Sequence, residues 1–173
     1  MVNEATALFL TNDCCRKSAI VYRKCACYGP TLWLKNDIER KFTMLEIYTD
    51  GASSGDPGPS GAGIYIKNGD EKHEYMYFLG NLSNHEAEFH AVIKALEICK
   101  GSFPNEILSF RSDSQLVVDV IDKNFTKNPK FKPLLDKISN ELQGFPLFFI
   151  KWIPEKQNKN ADRLARNAIR LKQ

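Results

Sequence analysis

Four acidic residues, Asp50, Glu88, Asp113 and Asp162, lie far apart along the chain and could share one piece of chemistry. Asp50, followed by Gly51, could by itself mark only a turn, and Asp113, within Arg111-Ser-Asp-Ser-Gln115, only a helix N-cap. Glu88 and Asp162 are harder to reduce to local roles. Glu88 precedes Ala91 and Val92 by three and four residues, and Asp162 precedes Ala165 and Ile169 by three and seven, so each shares the apolar stripe of a helix. A carboxylate turned inward is costly unless something positive receives it. If the four converge, two like charges about 4 Å apart repel by roughly 4 kcal/mol at an effective dielectric of 20. Only a cation or protonation makes such a cluster tolerable. Carboxylate and water oxygens are the ligands that Mg²⁺ and Mn²⁺ prefer. Two such ions can activate a water and stabilise the leaving oxygen of a phosphodiester.

The elements that would hold these acids read clearly from Met44 onward. A strand over 45–50 runs into a turn-rich segment, 51–61, whose Gly and Pro supply special backbone angles. Strands over 62–67 and 72–80 follow, joined by Asn68-Gly69, a strong hairpin signal. A helix starts at Ser83 or Asn84, with Glu86 and Glu88 in its first turns, and runs to Lys100-Gly101. The periodicity then predicts a strand over 106–112, helices over 114–123 and 132–143, a strand over 145–153 and a last helix over 158–171. This order predicts an α/β domain: three antiparallel strands extended by parallel ones, with helices on the faces. Asp50 and Asp113 would then stand at the C-terminal ends of strands, where α/β sheets place their sites. Residues 1–43 show no sustained period, so the chain divides into an N-terminal accessory segment of unknown role, 1–43, and a domain, 44–173, with Met1 or Met44 as alternative starts.

Composition narrows the class. Hydrophobic residues make up 43% and charged residues 26%, ordinary for a soluble globular chain. No apolar run approaches the roughly 18 residues that span a bilayer, and the N-terminus lacks the basic region of a secretory signal; a cytoplasmic protein is expected. The net charge of +3 is confined to residues 1–43, and 44–173 are neutral. A neutral domain binds nucleic acid by charge only if acids gathered at a metal leave the rest of its surface basic. Of five cysteines, Cys14, Cys15, Cys25 and Cys27 read as free thiols of a reducing compartment, since their spacing misses the paired knuckles of zinc sites. Cys99 falls on a helical apolar face and reads as core.

The motifs around the acids are familiar. Tyr48-Thr-Asp-Gly-Ala-Ser-Ser-Gly-Asp-Pro-Gly-Pro-Ser-Gly-Ala-Gly63 resembles the opening strand and turn of type 1 ribonucleases H, especially their short bacterial and reverse-transcriptase-like relatives. Ser83-Asn-His-Glu-Ala-Glu-Phe89 is similar to the family's T-N-N-x-x-E helix start. Arg111-Ser-Asp-Ser-Gln-Leu-Val-Val118 resembles its third acidic element, and Asn158-Lys-Asn-Ala-Asp-Arg-Leu-Ala165 its final N-x-x-A-D-x-L-A helix. The likeness covers about 44–172, with four elements in register. It implies a five-stranded ribonuclease H fold and an endonuclease that hydrolyses the RNA strand of an RNA–DNA hybrid, leaving 5′-phosphate and 3′-hydroxyl ends. It further implies two Mg²⁺ (or Mn²⁺) held by Asp50, Glu88, Asp113 and Asp162, with Asp50 bridging. Contacts to 2′-hydroxyls would come from the backbone of Gly51, Ala52 and Ser53, and from Asn84 and Glu88.

The chain also departs from the family. Where many members place a histidine ten residues before the last acid, this chain has Trp152, and the loop 154–160 holds no histidine. General acid–base help is worth about 10²–10⁴-fold, so slow turnover is expected, with Glu155 as candidate substitute and a solvated loop charge as the plain alternative. His85 replaces the second Asn of T-N-N, where it either meets the hybrid's minor groove or simply sits in the helix's first turn. Phe125 and Lys127, within a stretch that also holds Lys123, Lys130, Phe131, Lys132 and Lys137, would grip and stack on the hybrid, the plain alternative being a solvated connection with Phe packed inward. A monomer without protein partners or membrane contact is expected. The competing readings are a hybrid- or RNA-binding module with little catalysis, and an exonuclease or resolvase of the same fold. Against an exonuclease stands Asp50-Gly-Ala, where proofreading enzymes carry D-x-E.

Overall fold

The computed structural model describes residues 43–171. The accessory segment and Cys14, Cys15, Cys25 and Cys27 fall outside the described residues. Strand β1, Met44–Ser53, alternates as a half-covered strand should: Leu45, Ile47 and Thr49 are buried, while Glu46, Tyr48 and Asp50 on the other face are partly exposed. Strands β2, Gly58–Asn68, and β3, Glu71–Leu82, complete an antiparallel meander. Their turn is Gly69-Asp70, one residue later than expected, with Gly69 at φ +59° in the first central position. Helix α1, Asn84–Ser102, leads to β4, Ile107–Ser112; short helices α2, Gln115–Asp122, and α3, Lys132–Leu142, lead to β5, Phe148–Trp152. A 3-10 turn, Glu155–Gln157, precedes α4, Lys159–Arg170.

The five-stranded sheet has the order β3-β2-β1-β4-β5. β4 lies parallel to both β1 and β5, so the expected mixed architecture holds. Two boundaries differ from expectation. The segment 51–61 is not all turn, because Gly51, Ala52 and Ser53 pair with Ala62, Gly61 and Ser60 and so prolong both strands. Gly51 and Gly61 there allow the close approach of helices, while Gly55, at φ +134°, takes the bend. And β5 is shorter than 145–153: the Phe145 N–H bonds the Leu142 carbonyl at 3.1 Å and closes α3 instead.

The core lies between one sheet face and α1, α2 and α3. Leu45, Ile47, Leu108 and Phe110 meet Phe89, Val92, Leu96 and Ile138, all at most 1% exposed. Full burial of such side chains contributes roughly 1.5–3 kcal/mol each. Cys99 belongs to this core, and burial pushes its thiol up to about 12. Helix α4 covers the opposite face, against β1, β2 and β3, and its contact is unusually close. A Cβ on Gly63 would collide with the Ala161 carbonyl and the Ala165 nitrogen, and one on Gly61 with the Ala165 carbonyl. On the other face, a Cβ on Gly51 would collide with the backbone of Ala87 and Glu88. Three bare strand positions thus seat two helices directly on the strands.

Candidate active site

Each acid is delivered by a different element. β1 and β4 pair in parallel from Met44↔Ile107 to Tyr48↔Arg111, and the pairing ends there. Two residues further in the same register bring Asp50 beside Asp113 on the same face. Asp50 is therefore not at the end of its strand, as expected, but at the end of the strand's pairing with β4; the opening between the two strands does the work of a strand terminus. Glu88 arrives from the first turns of α1, whose start is set by a capping box: Ser83 Oγ accepts from the Glu86 N–H at 3.3 Å, and the Glu86 carboxylate accepts from the Ser83 N–H at 3.0 Å. Asp162 arrives from α4. There the buried stripe is Ala161, Leu164, Ala165 and Ala168, so Asp162 and Ile169 flank the apolar face, where the expectation placed them in it. The Asp162 side chain keeps 28% of its surface exposed, against 15% for Glu88.

All four acids line one cleft, with Glu155 and Arg166. The electrostatics record their proximity. The Asp50 carboxyl is pushed up to about 8, first by burial and then by the charges of Asp113, Asp162 and Glu88, with Arg166 in partial opposition. Burial also raises Glu88, against hydrogen bonds from Ser114 and His85. Asp113 is raised by burial and by the charges of Glu155 and Asp162, against a hydrogen bond from Asn158.

Three of the four have protein partners. Ser114 Oγ donates to Glu88 Oε2 at 2.6 Å, and Asn84 Nδ2 donates to Oε1 at 3.3 Å. Asp113 is held twice, its carboxylate by Asn158 Nδ2 at 3.0 Å and its carbonyl by the Trp152 indole N–H at 2.9 Å. Arg166 Nε donates to Asp162 Oδ1 at 2.7 Å. With three acids so engaged, no group of three or more His, Cys, Asp or Glu side chains among the described residues is gathered closely enough to hold one ion. The acids share a cleft without yet sharing a ligand point.

The other expected residues divide. Gly51, Ala52, Ser53, Asn84 and Glu155 line the cleft with the acids. His85 lies at its edge, with Nδ1 3.3 Å from Glu88 Oε2. Phe125 and Lys127 are not brought into the cleft; both are exposed on the connection between α2 and α3. The basic, aromatic stretch they belong to is less free than expected. Phe131 is core, its ring 5.0 Å from that of Phe89, and Lys123, Lys132 and Lys137 pair with Asp119, Asp136 and Glu97. Sequence reasoning missed Ser114, Asn158 and Arg166. The two polar residues stand next to or within quoted motifs, but their contacts join residues 26 and 45 positions apart. Only for Arg166, one turn after Asp162, was a spacing signal present.

Comparison with known proteins agrees with this geometry. A family model described as RNase H matches residues 43–170. The chain is 43% identical over 127 residues to an Enterococcus faecalis protein called "Putative hydrolase EbsB", covering 73% of this chain and 94% of that one. It is 34% identical over 128 residues to ribonuclease HI of Halobacterium salinarum, covering 72% of this chain and 64% of that protein. Among solved structures it is similar to LC11-RNase H1 in complex with RNA/DNA hybrid, with a TM-score of 0.70 and 30% identity over 74% of this chain and 98% of that one.

Proposed function

Because the chain belongs to the ribonuclease H family of hydrolases, we propose that it is a divalent-metal-dependent endonuclease that cuts the RNA strand of RNA–DNA hybrids, leaving 5′-phosphate and 3′-hydroxyl ends. The observation that carries this reading is the gathering of Asp50, Glu88, Asp113 and Asp162 along one cleft, with the Asp50 carboxyl pushed up to about 8 among them. Negative charge concentrated there lacks a sufficient positive partner, and hard carboxylate oxygens are the donor set that suits Mg²⁺ or Mn²⁺. Asp50, Glu88, Asp113 and Asp162 would hold two ions. Bound there, the ions would supply an activated water and charge stabilisation at the leaving oxygen. Arg166, which holds Asp162 in the cleft, is a cation for the phosphate backbone. The Gly51–Ser53 backbone and Asn84 read the 2′-hydroxyls of the RNA strand, and His85 reaches the same groove. Phe125 and Lys127 grip the hybrid outside the cleft. No helix among the described residues is long and apolar enough to cross a membrane.

The test is cleavage of RNA–DNA, RNA–RNA and DNA–DNA duplexes with and without Mg²⁺. Only the hybrid should be cut, internally and only with metal, and Asp50→Asn should abolish cutting while retaining binding. Cleavage that survives Asp50→Asn would remove Asp50 from the chemistry. One observation favours a second reading, a hybrid-binding module with little catalysis: Trp152 stands where a loop histidine is usual, and its indole is already bound to Asp113. Glu155, in the cleft and near enough to raise Asp113, is the candidate for the missing proton transfer. Glu155→Gln should lower kcat by about 10²-fold at constant KM; an unchanged kcat would make it a solvated loop charge. Binding without any product, in Mg²⁺ and in Mn²⁺, would establish the second reading.

A further inference from the structure

We propose that Asn158 is a positioning residue that fixes three of the four acids relative to one another, an inference that rests on the metal-dependent reading above. Asn158 is 1% exposed. Its Nδ2 donates to the carbonyl of Thr49, the residue before Asp50, and to Oδ1 of Asp113, each at 3.0 Å. Its own backbone carbonyl accepts from the Asp162 N–H at 3.1 Å. One residue therefore joins the strand beside Asp50, the carboxylate of Asp113 and the first turn of the helix that carries Asp162. These are three pieces of chain far apart in sequence, brought by β1, β4 and α4.

The chemistry of the amide argues that it is placed for this purpose. Both groups it meets are acceptors, so its nitrogen and not its oxygen must face them. The oxygen is left buried with no partner among the described residues. A buried acceptor without a donor costs stability, so the amide is kept here for its two donor hydrogens: each satisfies one oxygen on either side of the gap where β1 and β4 part.

The test uses the full chain and two variants beside the wild type. Asn158→Ala removes the amide; Asn158→Asp keeps its shape but turns an acceptor toward two acceptors. Both keep the backbone carbonyl that meets Asp162. Circular dichroism and thermal melts report folding, hybrid affinity is measured in EDTA, Mn²⁺ affinity by calorimetry, and kcat and KM with Mg²⁺. The variants should fold and bind hybrid in EDTA within threefold of the wild type. Both should lose at least 100-fold in kcat with KM within threefold, and Asn158→Ala should bind Mn²⁺ at least tenfold more weakly. A kcat within threefold of wild type in either folded variant, a KM that rises as far as kcat falls, unchanged Mn²⁺ affinity in Asn158→Ala, or failure of both variants to fold would each overturn the proposal. A wild type that cuts nothing would sink the enzymatic reading instead, and the Mn²⁺ measurement would then judge Asn158 by itself.

Discussion

At Asp50, burial and three neighbouring carboxylates hold the carboxyl near 8, against an ordinary value of 3.8, and this has a consequence for stability without metal. Between those two values the folded protein retains a proton that the unfolded chain has lost. Stability is therefore full below the ordinary value and falls as pH rises through about 8. Thermal melts in EDTA should give a higher Tm at pH 5.5 than at pH 8.5. Asp50→Asn should flatten that dependence and raise the Tm at pH 8.5 by about 4 °C or more, the shift expected for a gain of about 1 kcal/mol. Mg²⁺ should recover the loss in the wild type at pH 8.5, because it binds only the folded form, and should do little for Asp50→Asn. A Tm that climbs between pH 5.5 and 8.5 in EDTA would contradict the electrostatics of the cleft. The identity of the acids was legible in the sequence because each sits inside a short motif. Of their partners only Arg166, one turn after Asp162, had a local signal; Ser114 and Asn158 act on Glu88 and Asp113 through contacts that exist only after the chain folds.

Among the elements, α4 and the first turn of α1 come close to the strands at glycines, Gly61 and Gly63 under α4 and Gly51 under α1. Gly63→Ala forces a methyl group into the α4 backbone. Overpacking of that kind costs typically about 1–3 kcal/mol, so the Tm should fall and kcat should fall with it, since α4 carries Asp162. Gly101→Ala is the matching control, for nothing lies within 4 Å of its Cβ position in α1; it should leave cleavage unchanged and stabilise by about 0.5–1 kcal/mol. Chemical denaturation of the two variants, with activity measured on each, separates these outcomes. At the start of α1, Ser83→Ala removes the N-cap and should cost about 1 kcal/mol. The glycine-rich run 51–61 reads as turn in the sequence because glycine signals both a bend and a close approach. Spacing distinguishes them: Gly61 and Gly63 share one strand face, and Ala161, Ala165 and Ala168 form the matching small stripe on α4.

For the whole molecule, a neutral domain that binds a polyanion must do so with few charges. Of the five lysines after Asp113 that the sequence offers for the hybrid, Lys123, Lys132 and Lys137 are engaged with acids. Lys127 and Lys130 are exposed and enter no ion pair among the described residues. A Lys127→Ala, Lys130→Ala variant should weaken hybrid binding and reduce the slope of log K against log salt by about 0.9 for each phosphate no longer neutralised. An unchanged slope would place the hybrid elsewhere on the surface. Element order and the antiparallel meander were legible because hydrophobic period and hairpin signals are local. The free or paired state of each lysine was not, because it depends on helices that meet only in the fold.

Helix α4 has a further bearing on how this protein can vary. Its backbone rests on β2 with no side chain between, and the residues from Asn158 to Asp162 form its first turn, closed by a single backbone hydrogen bond. Insertions between Ile153 and Gln157 shift the 3-10 turn and Glu155 but leave the helix where it lies. One residue added between Asn158 and Asp162 rotates everything downstream by about 100° and turns Asp162 away from Asp50. A change of length before Asn158 touches one acid's loop; the same change after it swings the whole helix.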